Sequence, residues 1–249
     1  SSSAAQTLSG IISGTGALTK DTDSSSTLTL SNASNSYSGL TTITSGVVSV
    51  TADANLGTNA GLTFGGGTLT ITGNTAFSSS KNITMSGAAT IINNDSSGAI
   101  FSGSITNSSY LLTVDGTGDT TLSGIVGSGS GGLTKSGNGL LSLTNANTYA
   151  GTTTISAGTI KLGNAAALGS ATGGTSITSG AALDLNGQNI SGTEALTING
   201  TGISSGGAVF NSSATGATYA GLITLGSASS IVGGTGSIAL THSGTITGA

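Results

Sequence analysis

The 249-residue sequence contains no cysteine, no proline, no tryptophan and no arginine, a single histidine (His242), and four lysines against eight acidic residues. Each absence removes a chemistry. Without cysteine there is no thiol nucleophile and no disulfide framework, and one histidine cannot build a structural zinc site. A formal charge of −4 with no basic stripe excludes the phosphate neutralisation on which nucleic-acid binding depends. An anionic membrane surface would repel the chain as well. Charged residues are 5% and aromatics 3% of the sequence, which fits neither a highly charged disordered chain nor a globule with an aromatic core. No apolar run is long enough for a membrane-spanning helix. The opening residues, SSSAAQTLSG, lack the basic start and apolar centre of an export signal, so any such signal is expected outside this segment.

What the sequence has in quantity is Ser, Thr, Asn and 44 Gly, a composition that points to the extracellular side. Aliphatic residues alternate with hydroxyl residues at Leu28–Leu30, Leu69–Ile71, Ile83–Met85, Leu141–Leu143, Leu183–Leu185 and Leu196–Ile198. That period of two predicts short strands with one face inward, and the Gly, Asn and Ser clusters between them supply turns. No stretch carries a capped 3.6-residue apolar period, which predicts little or no helix.

Internal repetition is the strongest signal. Asn35, Tyr37, Gly39, Thr41, Ile43, Gly46, Leu56 and Gly57 recur at the same offsets as Asn147, Tyr149, Gly151, Thr153, Ile155, Gly158, Leu168 and Gly169. The two copies lie 112 residues apart at the tyrosine and 115 apart at the Leu-Thr-Lys that precedes each, Leu18–Lys20 and Leu133–Lys135. A partial third copy reads Tyr219-Ala-Gly221. The expected organisation is one rod over residues 1–249 made of two long units, approximately 18–132 and 133–249. Repeats of about 20–25 residues with short strands predict a parallel β-helix of roughly ten to twelve turns, on the order of 50 Å long. Equivalent side chains would ladder from turn to turn. An antiparallel sandwich is the alternative all-β fold.

The two motif copies closely resemble the autotransporter-associated β-strand repeat, also called the passenger-associated transport repeat, of bacterial type V secretion proteins. The copy from Leu133 to Gly169 fits with few departures; the first departs around Ser34–Ser36 and at Leu40 and Asn55. The resemblance implies a right-handed β-helix held at a bacterial surface, with export through a C-terminal barrel. It implies a structural or adhesive element whose partners are copies of itself or other surface components, and no cofactor.

Other candidates each have a plainer explanation. Asp115 and Asp119, in Asp115-Gly-Thr-Gly-Asp119, could hold Ca²⁺ through oxygen ligands but read more simply as a polar turn. Asp21 and Asp23 beside Lys20 read as a solvated loop. A carbohydrate enzyme would need converging carboxylates, whereas Asp184 and Glu194 lie half a coil apart and should diverge. His242 reads as a surface or terminal residue. Thr-x-Thr pairs such as Thr68/Thr70 and Thr152/Thr154 suggest an ice-binding array, yet their spacing is expected to be irregular from turn to turn. The sequons at Asn82 and Asn199 carry no weight at this composition. Neither terminal segment predicts a capping helix, so the chain is expected either to be part of a longer solenoid or to stack end to end with its copies, as a filament or matrix/sheath protein. Ordinary catalysis is not expected.

Overall fold

Alternating Leu, Ile or Val with Thr or Ser over three to five positions makes a strand that needs neighbours on both edges, and here the neighbours are the preceding and following coils. The computed structural model describes residues 4–58, 61–244 and 246–248. It is a parallel β-solenoid of about eleven coils with three faces. The first face is a twelve-stranded sheet running from Gln6–Leu8 to Thr247–Gly248. The second is eight-stranded, from Phe77–Ser79 to Ile231–Val232. The third holds six strands, from Leu18–Lys20 to Val126–Gly127. Three more, Asn189–Ile190, Ala217–Tyr219 and Ile238–Leu240, take that same place in the circuit further up.

The six segments whose alternation predicted strands all contribute strands, and the only helical pieces among the described residues are the 3-10 turns Asp53–Leu56 and Ile203–Ser205. Neighbouring strands pair in parallel, so like stacks on like: Val48, Leu69, Ile91 and Val114 form one inward column. The core is thin and aliphatic; Tyr37, Phe64, Phe77, Phe101, Tyr149 and Tyr219 are fully buried, while Tyr110 and Phe210 are half-buried. Phe77 and Phe101 meet across adjacent coils with ring centroids 5.4 Å apart.

Coil length varies, and the variation is absorbed at the corners. One coil takes 20 residues from Leu28 to its partner Val48, and another takes 27 from Ile198 to Leu225. The long coil carries the Ile203–Ser205 turn and a register shift between Ile198 and Gly200. Buried Asn and Asp side chains line other corners, among them Asn93, Asp95, Asn107 and Asn211. A corner cannot continue a ladder, so its backbone groups need side-chain partners. Asn211, for instance, accepts from the Gly187 amide at 2.8 Å and donates to the Ser237 carbonyl at 2.9 Å.

Candidate functional site

The two motif copies do not sit above one another. In the first, Leu18–Lys20 lies on the third face and Thr27–Leu30 on the first, Asn35–Tyr37 fills the place of a second-face strand, and Thr41–Ile43 returns to the third face. In the second, Leu133–Lys135 lies on the first face and Leu140–Leu143 on the second, Asn147–Tyr149 fills the third-face place, and Thr153–Ile155 returns to the first. The same segment is thus advanced by one face. Leu18 climbs through Thr41, Leu62, Ile83 and Ile105 to Val126 in five coils, and Leu133 is one face further. A 115-residue spacing is five and one-third coils, so the copies point about a third of a turn apart around the axis.

Within each copy every motif residue has a packing reason. Where a face lacks a strand, the asparagine supplies the missing carbonyl. The Ser36 amide donates to the Ile12 carbonyl, and the Ile12 amide donates back to Asn35 Oδ1 at 2.8 Å. Thr148, Val126 and Asn147 Oδ1 repeat that exchange, again at 2.8 Å. Upward, Asn35 Nδ2 donates to the Asn55 carbonyl and Asn147 Nδ2 to the Ala167 carbonyl, at 2.8 and 2.7 Å. Each asparagine therefore ties three successive coils. Tyr37 and Tyr149 turn inward and bond Thr41 Oγ1 and Thr153 Oγ1 at 2.6 and 2.7 Å. Burial pushes both phenols above their ordinary range.

Leu56-Gly57 and Leu168-Gly169 pass directly over those rings. Both glycines have positive φ, and a Cβ on Gly57 would stand 2.8 Å from the Tyr37 ring, with 3.0 Å at Gly169 and Tyr149. Only glycine fits, which explains the invariant Leu-Gly step between copies. Gly39 and Gly151 press against the backbone of the coil below. Ile43 and Ile155 are core, and Gly46 and Gly158 cover the lysines of Leu-Thr-Lys. The partial copy keeps Tyr219 and Gly221 but has Ile223 where the threonine would be. Tyr219 donates instead to the Glu194 carbonyl at 2.9 Å.

The lysines are what sequence reasoning missed. Lys20 and Lys135 end strands with their side chains folded under the following turn, Lys20 donating to the Thr22 and Ser45 carbonyls and Lys135 to that of Gly137. Burial lowers the Lys135 ammonium to about 8, opposed by Asp115 and Asp119. Its ordinary value is 10.5, so between pH 8 and 10.5 the unfolded chain binds more protons than the folded one, and stability must rise with pH there. Tyr149 and Tyr219, raised by burial, act with the opposite sign: above about pH 10 the unfolded phenols ionise first and stability falls. Thermal melting should therefore show a maximum near pH 9–10, with a gain of about 1–2 kcal/mol from pH 8. Lys135→Met should remove the rising limb and leave the fall; a flat profile in the parent protein would contradict the assignment.

Several of the remaining carboxylates serve turns. Asp115 Oδ1 accepts from the Gly116 amide at 2.6 Å and Asp119 Oδ1 from the Leu140 amide at 2.9 Å. Asp23 caps Ser25. No group of three metal-ligating side chains occurs among the described residues. Asp184, on the second face, accepts from Asn186, from the Ser212 amide and, at 2.6 Å, from Ser212 Oγ. Glu194 lies at the corner leading into the first face, so the two acids do not converge. His242 is exposed and accepts from the Gly244 amide.

One expectation needs correction. The threonines are irregular along the chain, but the varying coil lengths bring them into register. On the first face Thr68, Thr90, Thr113, Thr134, Thr154, Ser176, Thr197, Thr224 and Thr247 pair in succession. The result is a column of nine outward hydroxyls, one per coil, about 4.8 Å apart. It is a single column rather than the two-wide array of Thr-x-Thr pairs, because neighbouring outward positions include Ile92 and Asp115.

Comparison with known proteins agrees with this geometry. The passenger-associated-transport-repeat family is matched over residues 23–50 and 133–162, the two segments just described. The chain is 35% identical over 231 residues to the adhesin BmaC autotransporter of Brucella suis biovar 1 (strain 1330). That alignment covers 88% of this chain and 6% of the relative's length, so the chain spans a small fraction of the curated protein it matches. No solved structure matches it significantly.

Proposed function

Because the chain belongs to the passenger-associated-transport-repeat proteins of bacterial surface export, we propose that it is a section of an adhesive rod, one solenoid of two repeat units near 18–132 and 133–249, without catalytic activity. The observation that carries this reading is the nine-hydroxyl column on the uninterrupted first face. Such a surface offers shallow, repeated hydrogen bonds and no enclosing pocket, which suits multivalent attachment to an extended partner better than turnover of a small substrate. Uncharged hydroxyls also keep their character across salt and pH, as an exposed adhesive must. The name of the relative supports adhesion, and the alignment of the repeats supports location at the bacterial surface.

The test is display of the chain on a non-adherent laboratory bacterium, with retention measured on plates coated with matrix proteins or polysaccharides. Retention several-fold above cells displaying an unfolded variant is expected, and replacement of Thr134, Thr154, Ser176 and Thr197 together by alanine should reduce it while circular dichroism shows the rod still folded. Equal retention of folded and unfolded chains would contradict adhesion. Equal retention of the quadruple variant would remove the hydroxyl column from it.

A further inference from the structure

The strand register makes the two copies comparable beyond the motif itself. Thr41 pairs with Leu62 and Leu62 with Ile83; Thr153 pairs with Thr175 and Thr175 with Leu196. Lys81 stands two positions before Ile83, and Glu194 two before Leu196, so both occupy the same corner, two coils above the motif threonine. The next coil agrees: a Cβ on Gly103 would strike the Lys81 carbonyl, and one on Gly221 the Glu194 carbonyl.

A groove runs below each corner, against the Leu-Gly step. In the first copy the groove, about 600 Å³, is open but its lysine is paired from within. Lys81 Nζ donates to the Gly57 carbonyl at 3.1 Å and pairs with Asp53 Oδ2 at 3.2 Å. In the second copy Gly57 becomes Gly169, Asp53 becomes Ala165 and Lys81 becomes Glu194. The cation is gone and a carboxylate occupies its corner. Glu194 is 4% exposed; its Oε1 accepts from Thr175 Oγ1 at 2.8 Å, while Oε2 is buried with no partner. An orphaned buried carboxylate oxygen is costly, and Glu194 lines a groove of about 340 Å³. The walls are mixed: Ala165, Ala166, Leu168 and Ile190 form an apolar strip beside the polar Asn164 and Ser191, and the exposed rim includes Gly192.

We propose that this groove binds a primary alkylammonium group of the kind a lysine side chain presents, its nitrogen taking the place that Lys81 Nζ fills in the first copy. The ammonium would donate to Glu194 Oε2 and the Gly169 carbonyl, and the methylene stem would lie along the alanine, leucine and isoleucine wall. A compact ammonium suits one available oxygen; a guanidinium is built for two parallel acceptors, and Oε1 is already engaged. The site does not depend on the adhesive role of the hydroxyl column, which lies on another face. Burial raises the Glu194 carboxyl, so acid should protonate it and weaken binding. The titratable groups facing it are Tyr149 and Tyr219, which stay neutral at and below neutral pH.

The experiment is titration of the whole chain, followed by NMR or calorimetry, with cadaverine, with a blocked Gly-Lys-Gly peptide and with the Gly-Arg-Gly analogue. Saturable binding of the lysine peptide, at least about tenfold tighter than the arginine peptide and weakening as pH falls, is expected. Binding of cadaverine but not the peptide would keep the ammonium site and assign it to free diamines. Glu194→Gln should lose about tenfold in affinity without loss of melting temperature. Glu194→Lys combined with Ala165→Asp, which rebuilds the first copy's pair, should abolish binding in a folded rod. Absence of saturable binding by either amine, or unchanged affinity in Glu194→Gln, would overturn the proposal.

Discussion

Replacing Asn147 by leucine should destabilise the rod by about 3–4 kcal/mol, the largest loss expected from any single residue of the motif. Leucine has asparagine's branched outline with the same number of heavy atoms, so packing is the smaller part of the effect. The loss comes from two buried backbone groups. The Val126 amide would no longer meet Oδ1 at 2.8 Å, and the Ala167 carbonyl would lose its donor at 2.7 Å. Each orphaned group forfeits roughly 1–3 kcal/mol, because water cannot reach it in the interior. For a chain of this length the melting temperature should fall by roughly 10 °C. Asn35→Leu is the internal control. Its lower partner, the Ile12 amide, is only part-buried, so water can compensate and the loss should be about half as large. Thermal melting of the two variants checks both the magnitude and the order. Equal, small losses would mean that the asparagines are turn formers rather than substitutes for missing strand carbonyls.

The same asparagines show what can be read from a sequence of this kind. Their spacing to Tyr, Gly, Thr, Ile and Leu-Gly is local, lying within two coils, and each of those residues meets another one visible in the same short window. Tyr37 and Thr41 are four residues apart, and the ring that excludes a side chain from Gly57 is 20 residues away. The third-of-a-turn offset between copies is not local. It depends on the summed length of five coils, and coil length varies with corner insertions that resemble any other Gly-Ser-Asn stretch. The hydroxyl column was hidden for that reason: Thr134 and Thr154 are separated by 20 residues and Thr197 and Thr224 by 27, and only the register shows that both steps are one coil. Glu194 was equally opaque, since its significance lies in occupying the corner that Lys81 fills elsewhere.

If coils rather than sequence units are the element of stability, removing one complete coil should leave a folded rod. Deleting residues 91–113 joins Thr90 to Val114, which is the register partner of Ile91 and takes its place above Leu69. One β-branched core residue replaces another. On the third face Val126 replaces Ile105 above Ile83, and on the second Thr120 replaces Ala99 beside Phe77. Every downstream strand then climbs down by one step of about 4.8 Å without rotating. In a solenoid each coil contacts only its neighbours, so one coil and one interface are lost while the rest keep their partners. The shortened protein should melt cooperatively within several degrees of the parent. Deleting only residues 91–101, about half a coil, must rotate everything beyond it by half a turn. Corner residues such as Gly103 would then fall where strands must pair, and inward aliphatics would face water. That variant should lose protease resistance throughout the part that follows the junction. Circular dichroism melting with limited proteolysis separates the cases, and equal tolerance of both deletions would show that the coils do not register as described.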